Sequence, residues 1–429
     1  MNTAAIVVIV TLDTKGPEAA FVVRQIESAG YQALVLDTGI IPNTDPAAPV
    51  PSITSDTIAT EVGESREYLA SRMSEPETRD RWIRAMAAGS AKVLKTLHAE
   101  GRVAGVFGLG GAQGTQVCST AMRALPIGVP KMLVSTVASG RTPFGIYTGT
   151  RDLTIMHSVV DVLGLNSLTK LILTNAVGGI VGMASAQVSM PPESAARARV
   201  GISIYGNTTP AAMAIKARLE QRGYEVFGFH CNGTGGVAME ELASEGMLDV
   251  ILDLSTHELT DQLLGGIHAG NETRLVLGGR SVPRLVVPGA LDLITFGPMD
   301  SVPERFRAQP NVRHNPNVSL VRATREQLVA LAEIMAARLN LATQPIAVVV
   351  PTGGWSFYNR DGLHFRNKVA DQAFIRTLRS HLRPGTPFHE IADHVNDPSF
   401  ADHVVTLFEQ FWHNATAAKS TGAASADFT

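Results

Sequence analysis

The chain has 429 residues, 45% hydrophobic and 17% charged, with a formal net charge of −3. That length and composition allow two or three domains with sizeable cores and exclude a disordered chain. The near-neutral charge, without any Lys/Arg-rich run, argues against direct nucleic-acid binding. The only cysteines, Cys118 and Cys231, form no C-x-x-C pair and exclude a disulfide framework.

Residues 4–38 carry a β-α-β signature. Residues 6–11 form an apolar, β-branched strand, 12–16 a loop, and Pro17 sits where the first turn of a helix tolerates proline. Ala19, Val22, Val23, Ile26 and Ala29 make a helical stripe that Gly30 ends, and 31–37 is the second strand. No basic leader precedes this unit and no apolar run reaches membrane-spanning length, so a soluble cytoplasmic protein without a membrane partner is expected. Residues 40–78, rich in Pro, Ser, Thr, Asp and Glu, form a long excursion suited to a flap or a dimer contact.

Residues 82–98 form a helix that feeds the buried strand 103–107. Four glycines follow, Gly108, Gly110, Gly111 and Gly114, before a helix opening near Thr115. Glycines let backbone approach a ligand closely, and the free N–H groups of a helix start favour an anion, so a phosphate is the expected ligand. The alternative is a glycine turn that only packs a helix on a sheet. The spacing matches neither G-x-G-x-x-G, which needs glycine at Gln113, nor G-x-x-x-x-G-K-[ST], which needs lysine at Thr115. Another buried strand, 131–135, leads into Thr136, Val137, Ala138, Ser139 and Gly140. Residues 147–152 precede apolar helical material reaching about Ala186.

Met190-Pro191-Pro192-Glu193-Ser194 then interrupts the pattern, and the chain begins again. Residues 200–205 are a strand, Pro210 a helix start, Gly223 a stop and 224–229 the next strand. Pro17, Gly30 and Tyr31 match Pro210, Gly223 and Tyr224 at one constant offset. The second half also carries Gly233, Gly235 and Gly236 before a helix over 237–244, read as a repeat of the glycine device. Further strands are expected at 250–254, 284–287 and 346–350, and helices near 325–339, 370–382 and 401–412. Strand–helix alternation gives an α/β fold of two Rossmann-like domains, mainly parallel sheets with helices on both faces. Their expected limits are 1–187 and 200–414, with 415–429 a disordered tail.

Several polar groups fall in loops after strands, where ligands of such sheets sit. Lys15 and Arg151 could balance phosphate charge, and Asp13 could hold Mg²⁺. Thr14, Thr115, Ser135, Thr136, Ser139, Gly140, Gly149, Thr150 and Asp152 complete the candidate nucleotide set. Each has a bland alternative: an Asx turn, a helix cap or a surface ion pair. In the second half, His230, Glu240, Glu258 and His394 are the candidates for proton transfer. Neither H-x-x-x-H nor H-E-x-x-H occurs to favour zinc, and no G-x-S-x-G elbow favours a serine hydrolase. Taken singly, each histidine reads first as a satisfied polar residue.

These blocks together resemble one widespread, mostly uncharacterised bacterial family, related to the ATP-binding domain of the tomato mosaic virus resistance protein. The resemblance runs from Thr11 to about Phe411. It rests on Asp13-Thr14-Lys15, Gly108-Leu109-Gly110-Gly111, Ser135 to Gly140, and Ser158-Val159-Val160-Asp161. In the second half it rests on Phe229-His230, Gly235-Gly236, Ala238-Met239-Glu240, Gly289 to Asp292, His314-Asn315 and His394 to Asp397. Where relatives place a lysine in the late loop, this chain has Gly353. The resemblance implies ATP bound by the first domain and a homodimer or higher oligomer; the antiviral role stays with the plant relative. The alternative function is a metabolic enzyme acting on a small carboxylate or sugar acid in the cleft between the two domains.

Overall fold

A computed structural model describes residues 4–42, 44–139, 145–186 and 196–420. The chain divides into two compact units, Met1–Pro192 and Glu193–Thr429. The first is built on β1 (Ala5–Val10), β2 (Ala33–Asp37), β3 (Val103–Gly110), β4 (Lys131–Ser135) and β5 (Thr154–His157), in the order β2-β1-β3-β4-β5. All of these pairings are parallel. Successive side chains of a strand point to opposite faces, and here both faces are covered, which explains the unbroken apolar runs. Val7, Ile9, Leu36, Val106 and Leu133 pack against the helices Pro76–Ala99 and Ala112–Arg123. Ile6, Val8, Val10, Phe107 and Val134 pack against the helices Leu12–Ser28 and Ser167–Ser185.

Several details of this unit differ from the sequence expectation: residues 12–16, expected as a loop, already belong to helix Leu12–Ser28, which kinks at Lys15. Strand β3 runs on to Gly110, so Gly108 is a sheet residue: a Cβ there would lie 2.8 Å from the Cys118 Cβ. Strand β5 was hidden in material read as helical, being a short edge strand without a continuous apolar run. Helix Ser167–Ser185 is long and apolar enough, by length and composition, to cross a membrane, contrary to the expectation that no run qualifies. Its Leu173, Ala176, Val177 and Ile180 are core residues, so in this fold it covers a sheet. The 40–78 excursion holds the short helices Ser55–Thr60 and Arg66–Ala70, capped by the Thr54 and Ser65 hydroxyls.

The second unit has a six-stranded parallel sheet from β6 (Arg199–Ile204), β7 (Glu225–His230), β8 (Val250–Ser255), β9 (Arg284–Gly289), β13 (Ile346–Pro351) and β14 (Phe388–Ile391). Their order is β14-β13-β9-β8-β6-β7, so β7-β6-β8-β9-β13 repeats the topology of the first unit with one strand added. The repeat reaches to the caps. Gly30 (φ +87°) and Gly223 (φ +84°) both end their helices in the left-handed region. After each, the tyrosine N–H donates back into the helix: Tyr31 to Ile26 O at 3.3 Å and Tyr224 to Leu219 O at 3.1 Å. An antiparallel sheet of β10 (Leu293–Phe296), β12 (Val318–Arg322) and β11 (Asn311–Asn315), in that order, was not foreseen. Its strands are four or five residues long, and β11 is mostly exposed. The last helix, Pro398–Ser420, extends through the start of the expected tail; residues 421–429 lie outside the described residues.

Candidate functional site

The order β2-β1-β3-β4-β5 creates a switch point between β1 and β3, where ligands of open α/β sheets lodge beyond the carboxyl ends of the strands. The turn from β3 into helix Ala112–Arg123 stands there. Gly110 is required by close approach, since its Cβ would fall 2.6 Å from the Gly114 Cα. Gly111 is different: it is the helix N-cap with φ −75°, and its Cβ would meet nothing nearer than the Thr136 hydroxyl at 3.8 Å. The Thr115 N–H donates to Gly111 O at 2.8 Å. The N–H groups of Ala112, Gln113 and Gly114 have no acceptor among the described residues.

The other groups of this edge divide into those that shape the turn and those that face outward. Thr115 and Ser135 are buried and hydrogen-bonded to each other at 2.6 Å, which ties β4 to the turn. Thr136 donates its N–H to Gly110 O at 3.3 Å, and the exposed Ser139 hydroxyl lies 3.2 Å from His157 Nε2. One Asp13 oxygen accepts the Ile40 and Ile41 N–H groups at 3.1 and 3.2 Å, fastening the loop after β2. Lys15 donates to Val162 O, and Thr14 is exposed. Gly140 lies outside the described residues.

Gly149, Thr150, Arg151 and Asp152, expected in the same site, precede β5 and therefore sit at the opposite edge of the sheet. Asp152 pairs with the buried Lys131, the first residue of β4, at 2.7 Å, whereas the glycine turn follows Gly110, the partner of Ser135, its last residue. A strand rises about 3.3 Å per residue, so the length of β4 separates them. The Arg151 guanidinium is thus not the charge partner of the turn.

The second glycine turn is not the counterpart of the first: it follows β7, the equivalent of β2, whereas the first follows β3. Two of its amides are already occupied. Glu258 Oε1 accepts the N–H groups of Gly233 (3.0 Å) and Gly236 (3.2 Å), and a Cβ on Gly236 would collide with this carboxylate at 1.9 Å. Glu258 Oε2 accepts from Arg274 Nε at 2.8 Å. The Arg274 guanidinium also reaches Asp253 at 2.6 and 2.7 Å and Glu240 at 3.1 Å, and all four side chains are fully buried. Glu240 further accepts the Leu275 and Gly278 N–H groups, and Arg284 approaches it at 3.1 Å. Burial pushes the Asp253 carboxyl up, but Arg274 and Arg284 outweigh it and hold the group below its ordinary range. Glu240 and Glu258 are thus members of a dry ion network, not the solvent-reachable acid and base expected of them.

The two candidate histidines make separate sets of contacts. His394 fastens loops: its Nε2 lies 2.9 Å from Ser356 O, and its Nδ1 accepts from Asn396 N at 3.1 Å. A side chain at Gly353 would meet the His394 backbone N at 2.5 Å, so the loop has no room there for a lysine. His230, exposed at the end of β7, stacks near Tyr205 with ring centroids 6.0 Å apart. Tyr205 also stacks on His257 at 4.1 Å and lies edge-on to His268 at 5.8 Å. Neither of the last two, nor Arg274, was singled out by sequence. Their partners come from separate strands and loops, and only the fold brings them together.

Comparison with known proteins agrees with this architecture. The N-terminal domain of the uncharacterised protein family UPF0261 matches residues 4–189, and its C-terminal domain matches residues 197–412. A UPF0261 protein of Clostridium tetani is 35% identical over 398 residues, covering 92% of this chain and 96% of its own length. One from Rhizobium meliloti is 34% identical over 406 residues, covering 94% and 98%. The ToMV resistance protein Tm-1 of Solanum lycopersicum is 36% identical over 332 residues, which span 76% of this chain but 44% of the tomato protein. Matched by both domain models of a family whose function is uncharacterised, the chain belongs to UPF0261.

Proposed function

We propose that the first unit binds the phosphate tail of a nucleotide such as ATP at the turn between β3 and the following helix. One observation carries this reading: the amides of Ala112, Gln113 and Gly114 lack an acceptor among the described residues at the switch point of a β2-β1-β3-β4-β5 sheet. Backbone N–H groups and the positive end of a helix suit an anion, and the uncrowded space at Gly111 suits a close approach. Thr136 and Ser139 would add hydroxyl donors. Lys15 is a cation of this edge, once released from Val162 O. A Mg²⁺ ion carried by the nucleotide would find Asp13 as its carboxylate.

The test is calorimetric titration of the full chain with Mg·ATP, repeated on Gly111→Asp. The substituted side chain fits without a clash and is a favourable N-cap, so the variant keeps or gains thermal stability. It also places a carboxylate before the amides, and ATP binding should be lost. Equal affinity in the variant, or no binding of ATP, ADP or inorganic polyphosphate by the unmodified chain, overturns the reading.

A further inference from the structure

Beyond the first unit, we infer that His257, Asp261 and His268 of the second unit form a binding site for a divalent transition metal of the zinc class. The inference is independent of the nucleotide reading. His257 immediately precedes helix Glu258–Leu264, and Asp261 lies four residues on, so both side chains emerge on one helix face. Both are fully buried, with His257 Nε2 3.2 Å from Asp261 Oδ2. His268 is on the loop that follows, and its backbone N–H donates to the same Asp261 oxygen at 3.0 Å. One ligand atom from each of the three lies within 4.8 Å of the other two.

The surroundings orient these groups as metal ligands are oriented. His257 Nδ1 is 3.1 Å from Ala290 O, a contact only an N–H can satisfy. In the neutral ring that leaves the Nε2 lone pair facing Asp261. A ring nitrogen anchored on a backbone carbonyl is the usual outer support of a ligating histidine. Asp261 Oδ1 accepts the Thr295 N–H at 2.9 Å, which fixes the carboxylate. The Tyr205 hydroxyl lies 3.2 Å from His268 Nδ1 and 2.7 Å from the Thr295 hydroxyl, itself 2.9 Å from His257 Nε2. Two imidazoles and one carboxylate suit Zn²⁺ and its neighbours better than Mg²⁺ or Ca²⁺, which prefer oxygen alone. Three protein ligands leave a coordination position open to water. His268 is half-buried, so the third ligand borders solvent.

A competing arrangement is an imidazolium–carboxylate pair of His257 and Asp261 that needs no ion, and the experiment separates the two. Chelator-treated full-length protein is titrated with Zn²⁺ by calorimetry and with Co²⁺ by visible absorption. Expected are one equivalent bound and loss of that equivalent in His268→Ala and in Asp261→Asn. Tyr205→Phe, which removes an outer support, should weaken binding by ~10-fold, and His403→Ala, an exposed histidine elsewhere, should not change it. His268→Ala alters a half-buried loop residue, so its circular dichroism should match the unmodified chain. Failure to bind either ion stoichiometrically, or unchanged affinity in both His268→Ala and Asp261→Asn, overturns the assignment.

Discussion

Replacing Arg274 by methionine removes the positive centre of the second unit's buried network while keeping side-chain length and apolar bulk. Asp253 and Glu240 would be left with one cation, Arg284, which makes no aligned hydrogen bond among the described residues, and Glu258 would lose its ion-pair partner. Breaking a buried pair by deleting one partner typically costs 3–5 kcal/mol, because the charge left behind is neither solvated nor paired. For a unit of this size, about 4 kcal/mol corresponds to a fall of about 8–16 °C in melting temperature. Trp355 and Trp412 lie in the second unit and Trp82 in the first, so in a Trp82→Phe background tryptophan fluorescence reports the second unit alone. The pH dependence adds a sign. Stranded carboxylates have folded-state pKa values raised above their unfolded values, so the penalty is full at neutral pH and eases as pH falls toward the unfolded carboxylate range. A loss below ~1 kcal/mol, or a loss that grows on acidification, would refute the argument that Arg274 neutralises this cluster.

Two further outcomes are expected. Burial pushes the Cys118 thiol up to about 12 and the Cys231 thiol well above its ordinary value. Ellman's reagent should therefore find no reactive thiol before unfolding and both cysteines after it; rapid labelling of native protein would contradict this. Burial and the neighbouring Arg360 lower the His394 pKa below the ordinary 6.5. The unfolded chain then takes up the proton first, so stability present above that value is lost as pH falls through it toward the depressed folded-state pKa. His394→Gln should flatten the decline of melting temperature between about pH 7.5 and 5.5; an unchanged slope would count against it.

The sheets were legible because their strands are buried on both faces and read as unbroken apolar runs, as in β1 and β13. The repeat was legible because Pro17/Pro210 and Gly30/Gly223 answer the same local demands of helix start and stop. Sequence misled where spacing stood in for topology. Gly108 and Gly233–Gly236 look like ligand loops, yet one makes room for Cys118 and the other wraps a glutamate. Residues 149–152 seemed adjacent to the glycine turn, although strand direction sends them to the far edge. Arg274 carried no local pattern, because most of the carboxylates around it are distant along the chain; His257, Asp261 and His268 are close in sequence, but their H-x3-D-x6-H spacing matches none of the motifs sought. The antiparallel strands β10 to β12 were too short for a period to emerge, and only β11 is mostly exposed.

The Glu258 carboxylate held by the Gly233 and Gly236 amides has a consequence for what the second glycine turn can hold. A tethered side chain presents itself to those amides at an effective concentration that dissolved phosphates do not approach inside a cell. Those two amides are thus satisfied from within the chain and leave no opening there for a dissolved phosphate.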